Sequence, residues 1–338
     1  MKLFGEEFTK KEILRRVGDI SQIGGVRSYT LNSGKAKGVD AYEINTGAGL
    51  RFTLLRDRCM DIGWADFNGV PLSFISKAGV SGSMYFEHRG EELHRVFAPG
   101  LITTCGLRNV GAFCQCEGEE FGQHGRISNA PAEEAYALAR WEGDEYIIQA
   151  GGTMRESVLY GENLYLIRKY ETSLGSTSFR LMDTIVNRSF REEHIAIVYH
   201  TNFGYPLLDK EACISLPGGQ VVNHEGKRWP DGTETVLGVE DGMVRKPGYR
   251  ILFEQERIHA ALTNQKLTGF KGIYMEYDRK ALPCFALWRS FSSGDYVVGF
   301  EPGTSFPMGR DNSLREGYMV TLKPQEEYRI ELEFGIEF

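Results

Sequence analysis

From Ala41 to the C-terminus the chain repeats one pattern: short runs rich in β-branched and aromatic residues, each closed by turn-forming residues. In Leu50-Arg51-Phe52-Thr53-Leu54 apolar and polar residues alternate, the period-two signature of a half-buried strand. Further strands are predicted at 145–150, 164–171, 178–186, 194–200, 212–216, 273–277, 284–288, 296–301, 318–322 and 328–335. Long helical periodicity is nearly absent. Thr9-Lys10-Lys11-Glu12 reads as a capping box opening a short helix, with Ile13, Leu14 and Val17 on one face and Gly18 as its end. A second helix is predicted between Met84 and Val96, weakened by Gly90. Many short strands with few short helices specify an all-β sandwich or barrel of antiparallel sheets. No linker, low-complexity tract or repeat divides the chain, so 1–338 reads as a single domain, with 1–18 as its short N-terminal helical segment.

Glycine, 40 of 338 residues against a usual ~7%, suits a fold with many turns. A net charge of -7 without a basic tract argues against nucleic acid and anionic membranes as partners. No window approaches the ~18 apolar residues of a membrane span, and Met1-Lys2-Leu3-Phe4-Gly5-Glu6-Glu7 lacks the apolar run of a signal peptide. The six cysteines are scattered, and only Cys114 and Cys116 lie close, without a CxxC spacing or a nearby His set. A cytoplasmic protein with reduced thiols, no metal and no cofactor is expected, as a monomer or homodimer.

Four segments carry candidate chemistry. His194-Ile195-Ala196-Ile197-Val198-Tyr199 is a strand by composition, and Gly204 and Pro206 beyond it should break it, placing His200 at the strand's end. Gly100 to Gly111 brings Arg108 and Asn109 together as donors suited to hydroxyls, without the spacing of a phosphate loop; a glycine-rich turn with a surface Arg is the plainer alternative. In Phe121-Gly122-Gln123-His124-Gly125-Arg126, a neighbouring Arg126 would keep His124 neutral if the two were close. In Tyr296-Val297-Val298-Gly299-Phe300-Glu301-Pro302, alternation puts Val297, Gly299 and Glu301 on one face, and Glu301 should close its strand before the proline. Glu301 is then a general base at a cleft mouth, or merely a turn cap.

These residues, in this order, resemble the aldose 1-epimerase (galactose mutarotase) superfamily. More closely, the chain is similar to that superfamily's bacterial branch catalogued as a domain of unknown function. The similarity lies in Asp57-Arg58-Cys59-Met60-Asp61-Ile62-Gly63, Thr103-Thr104-Cys105-Gly106-Leu107, Gln123-His124-Gly125-Arg126, His200-Thr201-Asn202-Phe203-Gly204 and Glu301-Pro302-Gly303-Thr304. It spans about residues 20 to 338 in collinear order. The resemblance implies a β-supersandwich that interconverts the α and β anomers of a free or modified sugar. It implies His200 as the acid at the ring oxygen and Glu301 as the base at the anomeric hydroxyl, with His124 and Arg108 holding the sugar. The chain departs from the family where Tyr199, not Asn, precedes the catalytic His, and where the substrate-binding Asp has only Asp278 as a candidate counterpart.

The chemistry fits the residue types: anomer exchange needs a base on O1 and an acid on O5, and a carboxylate and an imidazole, near ~4.3 and ~6.5 when unperturbed, need only modest tuning. Around them, Asn109, Asn202 and Arg126 are further substrate-binding candidates. Trp288 is placed either as a stacking platform or in the core, and Arg289 with Arg310 either as holders of an acidic or phosphorylated sugar or in surface salt bridges. Arg58, between Asp57 and Asp61, reads as a sugar ligand in preference to a buried ion pair. Two rivals stand beside the isomerase: a non-catalytic carbohydrate-binding or sensing protein, and a lyase or hydrolase, the last normally requiring paired carboxylates.

Overall fold

The computed structural model describes residues 1–223, 228–229, 233–242 and 248–338, with 233–235 by backbone alone. About 51% of it is strand and 8% helix. Alternation of apolar residues sets its three main antiparallel sheets. The largest runs from Glu133–Glu142 through Glu145–Ser157, Asn163–Ser173, Ser178–Asn187, Glu327–Glu337, Gly272–Asp278, Arg257–Asn264 and Ala212–Ser215 to Thr233–Thr235. The second is ordered Gly219–Val221, Tyr249–Phe253, Cys284–Ser292, Asp295–Gly303, Glu193–Phe203, Val320–Leu322, and Ile102–Leu107 also pairs with Glu193–Phe203. The third joins Gly25–Thr30, Asp40–Asn45, Leu50–Leu55, Asp61–Phe67 and Val70–Pro71.

One apolar cluster draws on all three sheets, from Phe52 through Leu166, Phe179 and Phe334 to Ile197, Phe285 and Phe300. Phe52 and Phe179 meet across the third and largest sheets with ring centroids 4.6 Å apart. The face of Asn163–Ser173 that supplies Leu164, Leu166 and Tyr170 to this core also supplies Arg168. Its guanidinium bonds Asp183 at 2.6 and 2.9 Å, Asp61 at 2.6 Å, the Thr104 hydroxyl at 2.8 Å and the Cys59 carbonyl at 3.0 Å. Tyr199 donates its hydroxyl to Asp183 at 2.7 Å, and Tyr199 pairs across the sheet with Thr104. A wholly buried ionic node therefore fastens the strand of His200 from its core-facing side.

The expected capping box is present: Thr9 accepts from the Glu12 amide and Glu12 from the Thr9 amide, over a helix confined to Lys10–Leu14. The helix predicted between Met84 and Val96 is not there. Two 3-10 turns, Ser83–Tyr85 and Glu92–Arg95, stand in its place. Gly90 between them takes a φ of 47°, a left-handed geometry that an α-helix cannot continue through. Two strand ends also differ from expectation. Glu193–Phe203 continues three residues beyond His200, because Asn202 and Phe203 still pair with Gly299 and Val298. Asp295–Gly303 continues two beyond Glu301, since proline's demand for extended geometry before it suits a strand's interior as well as its end.

Candidate active site

The register of the second sheet builds the site. Pairing Val198 with Gly303 and Thr201 with Phe300 sets His200 directly opposite Glu301 on neighbouring strands. Directly opposed residues keep their Cβ atoms ~5 Å apart, and here His200 Nε2 lies 3.2 Å from Glu301 Oε1. Gly299, two positions along the same face, leaves room for the imidazole: a Cβ there would stand 3.1 Å from His200 Cε1 and 3.1 Å from Trp288 Cε3. We expect Gly299→Ala to push the ring off its position, at a cost of about 1–3 kcal/mol. A lowered thermal midpoint together with weaker sugar binding would register it; an unchanged His200 ring environment by NMR would contradict it.

His200, Glu301, His124, Trp288 and Phe97 line one cavity of about 680 Å³, within the ~300–1,000 Å³ usual for small-molecule sites. Phe97 stands edge-on to His200, centroids 5.5 Å apart, and parallel to His124 at 6.4 Å. Trp288 meets His200 edge-on at 5.4 Å, and His124 does so at 5.7 Å. Aromatic edges thus surround the imidazole, and the carboxyl beside it is 4% exposed. Burial alone pushes Glu301 up to about 8. Burial also pushes His200 down to about 4. Burial, then His200 and His94, bring His124 down to about 3.

His124 sits in a turn at φ 58°, its amide donating to the Gly111 carbonyl and its own carbonyl accepting from the Gly106 amide. The Gly111 amide donates to His124 Nδ1 at 3.3 Å. A neutral imidazole that accepts at Nδ1 carries its hydrogen on Nε2, so His124 offers the cavity a donor. Arg126 is not what keeps it neutral. That side chain is exposed and faces a separate cavity of about 380 Å³, and the imidazole it depresses, after burial, is that of His88.

The structure separates several other predicted residues from this cavity. Arg58 is buried, its guanidinium taken up by the carbonyls of Ser81, Val96 and Ser128 and by the Ser81 hydroxyl. Arg108 turns to Glu119 at 2.7 Å and Glu162 at 3.2 Å. Asn109 donates to the carbonyls of Ala112 and Gly122 and accepts from the Arg310 amide, pinning three segments together. The Arg310 guanidinium binds the carbonyls of Arg108 and His194. Arg289 lies on the opposite strand face from Trp288, over the Tyr249 ring at 4.8 Å. Asp278 is exposed on the largest sheet, beside a different surface groove. Asn202 is fully buried against the His200 backbone. Among the described residues no arginine lines the cavity, which removes the pair of Arg289 and Arg310 expected to hold an acidic sugar.

Residues not anticipated from sequence take their place. Ser290 and Ser292 follow Trp288 at period two on the cavity-facing side, so alternation could have supplied them. Lys77 and Asp295 form a 2.7 Å ion pair among the lining residues, which also include Glu91. Among the described residues no group of three or more His, Cys, Asp or Glu is placed to hold a metal ion, and all six cysteines are free thiols. No helix among them is long and apolar enough to cross a membrane.

The model of a family described as a domain of unknown function (DUF4432) matches residues 36–336. No curated protein matches the sequence. Among solved structures, a Klebsiella pneumoniae subsp. pneumoniae MGH 78578 protein, provisionally named an aldose 1-epimerase, superposes with a TM-score of 0.81 at 22% identity. That match covers 92% of this chain and 83% of the other. A galactose mutarotase-like protein from Clostridium acetobutylicum gives a TM-score of 0.61 at 13% identity, covering 94% and 99%. A galactose 1-epimerase from Lactobacillus acidophilus NCFM gives 0.58 at 12%, covering 93% and 99%. At such identities the likeness is one of fold: an all-β, galactose mutarotase-like sandwich.

Proposed function

We propose, for a chain that belongs to the family described as a domain of unknown function (DUF4432), that it is an aldose 1-epimerase-like isomerase exchanging the anomers of a sugar by acid–base ring opening. The observation that supports this reading is the His200–Glu301 pair, 3.2 Å apart in one cavity of small-molecule size.

The hemiacetal oxygens O1 and O5 are both bonded to C1, so two groups side by side can reach them together. Glu301 as carboxylate takes the proton from O1–H while the His200 imidazolium gives one to O5. The C1–O5 bond breaks, O1 becomes the aldehyde oxygen, and the pair is left as carboxylic acid and neutral imidazole. Rotation about C1–C2 exposes the other face of the aldehyde. Glu301 then returns a proton to O1, His200 takes one from the O5 hydroxyl, and C1–O5 re-forms as the other anomer. The pair holds one proton throughout, so each half-reaction leaves the state the next requires. His124 supplies an N–H to a sugar hydroxyl, and Trp288 and Phe97 offer apolar surfaces to C–H faces of the ring.

The test is the rate of α-to-β exchange across a panel of aldoses, followed by saturation-transfer NMR. Acceleration of at least one sugar well above the buffer rate is expected. Sugar binding seen by chemical-shift change, with exchange unaltered for every member of the panel, would replace the isomerase with a carbohydrate-binding or sensing protein.

A further inference from the structure

Asn202, singled out in the sequence as a sugar contact, is fully buried and does not line the cavity. It stands two residues after His200 on the same strand, and its Nδ2 lies 2.6 Å from the carbonyl oxygen of His200 itself. That bond fixes which way the amide points. A carbonyl oxygen only accepts, so the atom facing it must be the NH2 group, and the other end must be the oxygen. Asn202 Oδ1 and His200 Nδ1 are both sealed from solvent, and neither has a hydrogen-bond partner. The two side chains stand two residues apart on one face of the same strand, and Asn202 opposes the downward push of burial on the basicity of the imidazole. A buried donor or acceptor left unpaired forfeits its hydration without compensation, and a hydrogen on Nδ1 directed at Oδ1 satisfies both atoms.

We propose that Asn202 is a positioning residue that holds His200 as the Nδ1–H tautomer, leaving Nε2 as the atom that exchanges a proton beside Glu301. His200 and His124 are then held as opposite tautomers a few ångströms apart. The Gly111 amide donates to Nδ1 of His124 and makes Nε2 its donor; the Asn202 oxygen accepts from Nδ1 of His200 and makes Nε2 its acceptor. One imidazole gives a permanent N–H to the cavity and the other gives and takes. The ionisable groups facing His200 are Glu301 on the adjacent strand and His124 on the turn above. Neither is hydrogen-bonded to Nδ1, which leaves the amide to set the tautomer. The kinetic part of this inference rests on the isomerase reading; the tautomer itself does not.

The experiment reads the tautomer directly, on sugar-free protein carrying 15N-labelled histidine, with long-range 1H–15N spectra near pH 7. The His200 signals are identified as those absent from His200→Gln. Wild type is expected to show a protonated, pyrrole-like Nδ1 and a bare, pyridine-like Nε2. In Asn202→Leu the two nitrogens should move toward the reverse assignment, and the exchange kcat should fall on the order of 10²-fold with KM nearly unchanged. Asn202→Asp, which keeps an acceptor, should retain the Nδ1–H pattern. A wild-type spectrum showing Nε2–H overturns the inference whether or not either variant folds, and so does an Asn202→Leu spectrum identical to wild type. Absence of isomerase activity with the Nδ1–H pattern present would sink the functional reading and leave the tautomer assignment standing.

Discussion

Arg168→Leu is expected to cost at least about 3–5 kcal/mol of folding stability, the usual range when one partner of a buried ion pair is removed. The substitution is close to neutral for shape and apolar burial, so the loss is electrostatic. Arg168 is 1% exposed and bonds two carboxylates, a hydroxyl and a carbonyl. Without it, Asp61 and Asp183 are left in an apolar core with only Thr104 and Tyr199 as donors. The pH dependence separates this explanation from simple misfit. Burial already pushes Asp61 up to about 6, with Arg168 the main influence holding it down. Removing the guanidinium raises it further, so the folded variant takes up a proton that the unfolded chain releases near ~3.9. A group whose pKa is higher in the folded state favours folding most below the unfolded value, and that contribution fades as pH rises through the folded value. The deficit against wild type should therefore narrow as pH is lowered from 8 toward 5. Urea unfolding at several pH values measures it. A midpoint matching wild type, or a deficit of equal size at every pH, contradicts the account.

How far the sequence disclosed this molecule follows from the range of each signal. Apolar alternation is local, so the strands around Leu166, Phe179, Ile197 and Phe300 could be read directly, and each predicted strand overlaps an observed one. The strands Ile102–Leu107 and Asp61–Phe67 were harder, because glycine, threonine and aspartate interrupt their pattern. Asp61 and Thr104 are polar because they serve Arg168, a partner far away in sequence. Arg168 itself occupies an apolar position in the period of Leu164, Leu166 and Tyr170, and that misfit was visible in the letters. Its meaning was not, since the carboxylates it meets lie on other strands. The same distinction explains the site. Trp288 and Glu301 follow from alternation once strand faces are known, whereas Glu91 comes from the stretch between Met84 and Val96 whose local pattern suggested a helix, and Lys77 and Phe97 lie on either side of it, outside any predicted element. The arginines misled for a physical reason. A guanidinium can cap several backbone carbonyls at once, and in Arg58 and Arg310 that structural use consumes donors that a motif would assign to a ligand.

Glu301→Gln is expected to lower the anomer-exchange rate by about 10²–10⁴-fold, the usual contribution of one general acid or base, with little change in sugar affinity. The amide fits the same space but cannot take a proton from O1–H. The stronger statement concerns pH. Turnover requires the pair to carry one proton, and burial moves the two limits apart: His200 down to about 4 and Glu301 up to about 8. Below the lower limit both groups are protonated and no base remains for O1. Above the upper limit both are deprotonated and no acid remains for O5. Between them the single proton can sit on either partner, so the two apparent values belong to the pair and not to one residue each. The wild-type rate should therefore be flat from about pH 4 to about pH 8 and fall about tenfold per unit beyond each edge, as loss of a single required protonation state dictates. In Glu301→Gln the alkaline fall should vanish with the carboxyl that causes it, leaving a low residual rate. The measurement is exchange rate against pH for both proteins, corrected for catalysis by buffer and hydroxide. A wild-type profile still rising at pH 9, or an alkaline limb that survives in the glutamine variant, would assign the upper limit to another group and take Glu301 out of the proton transfer.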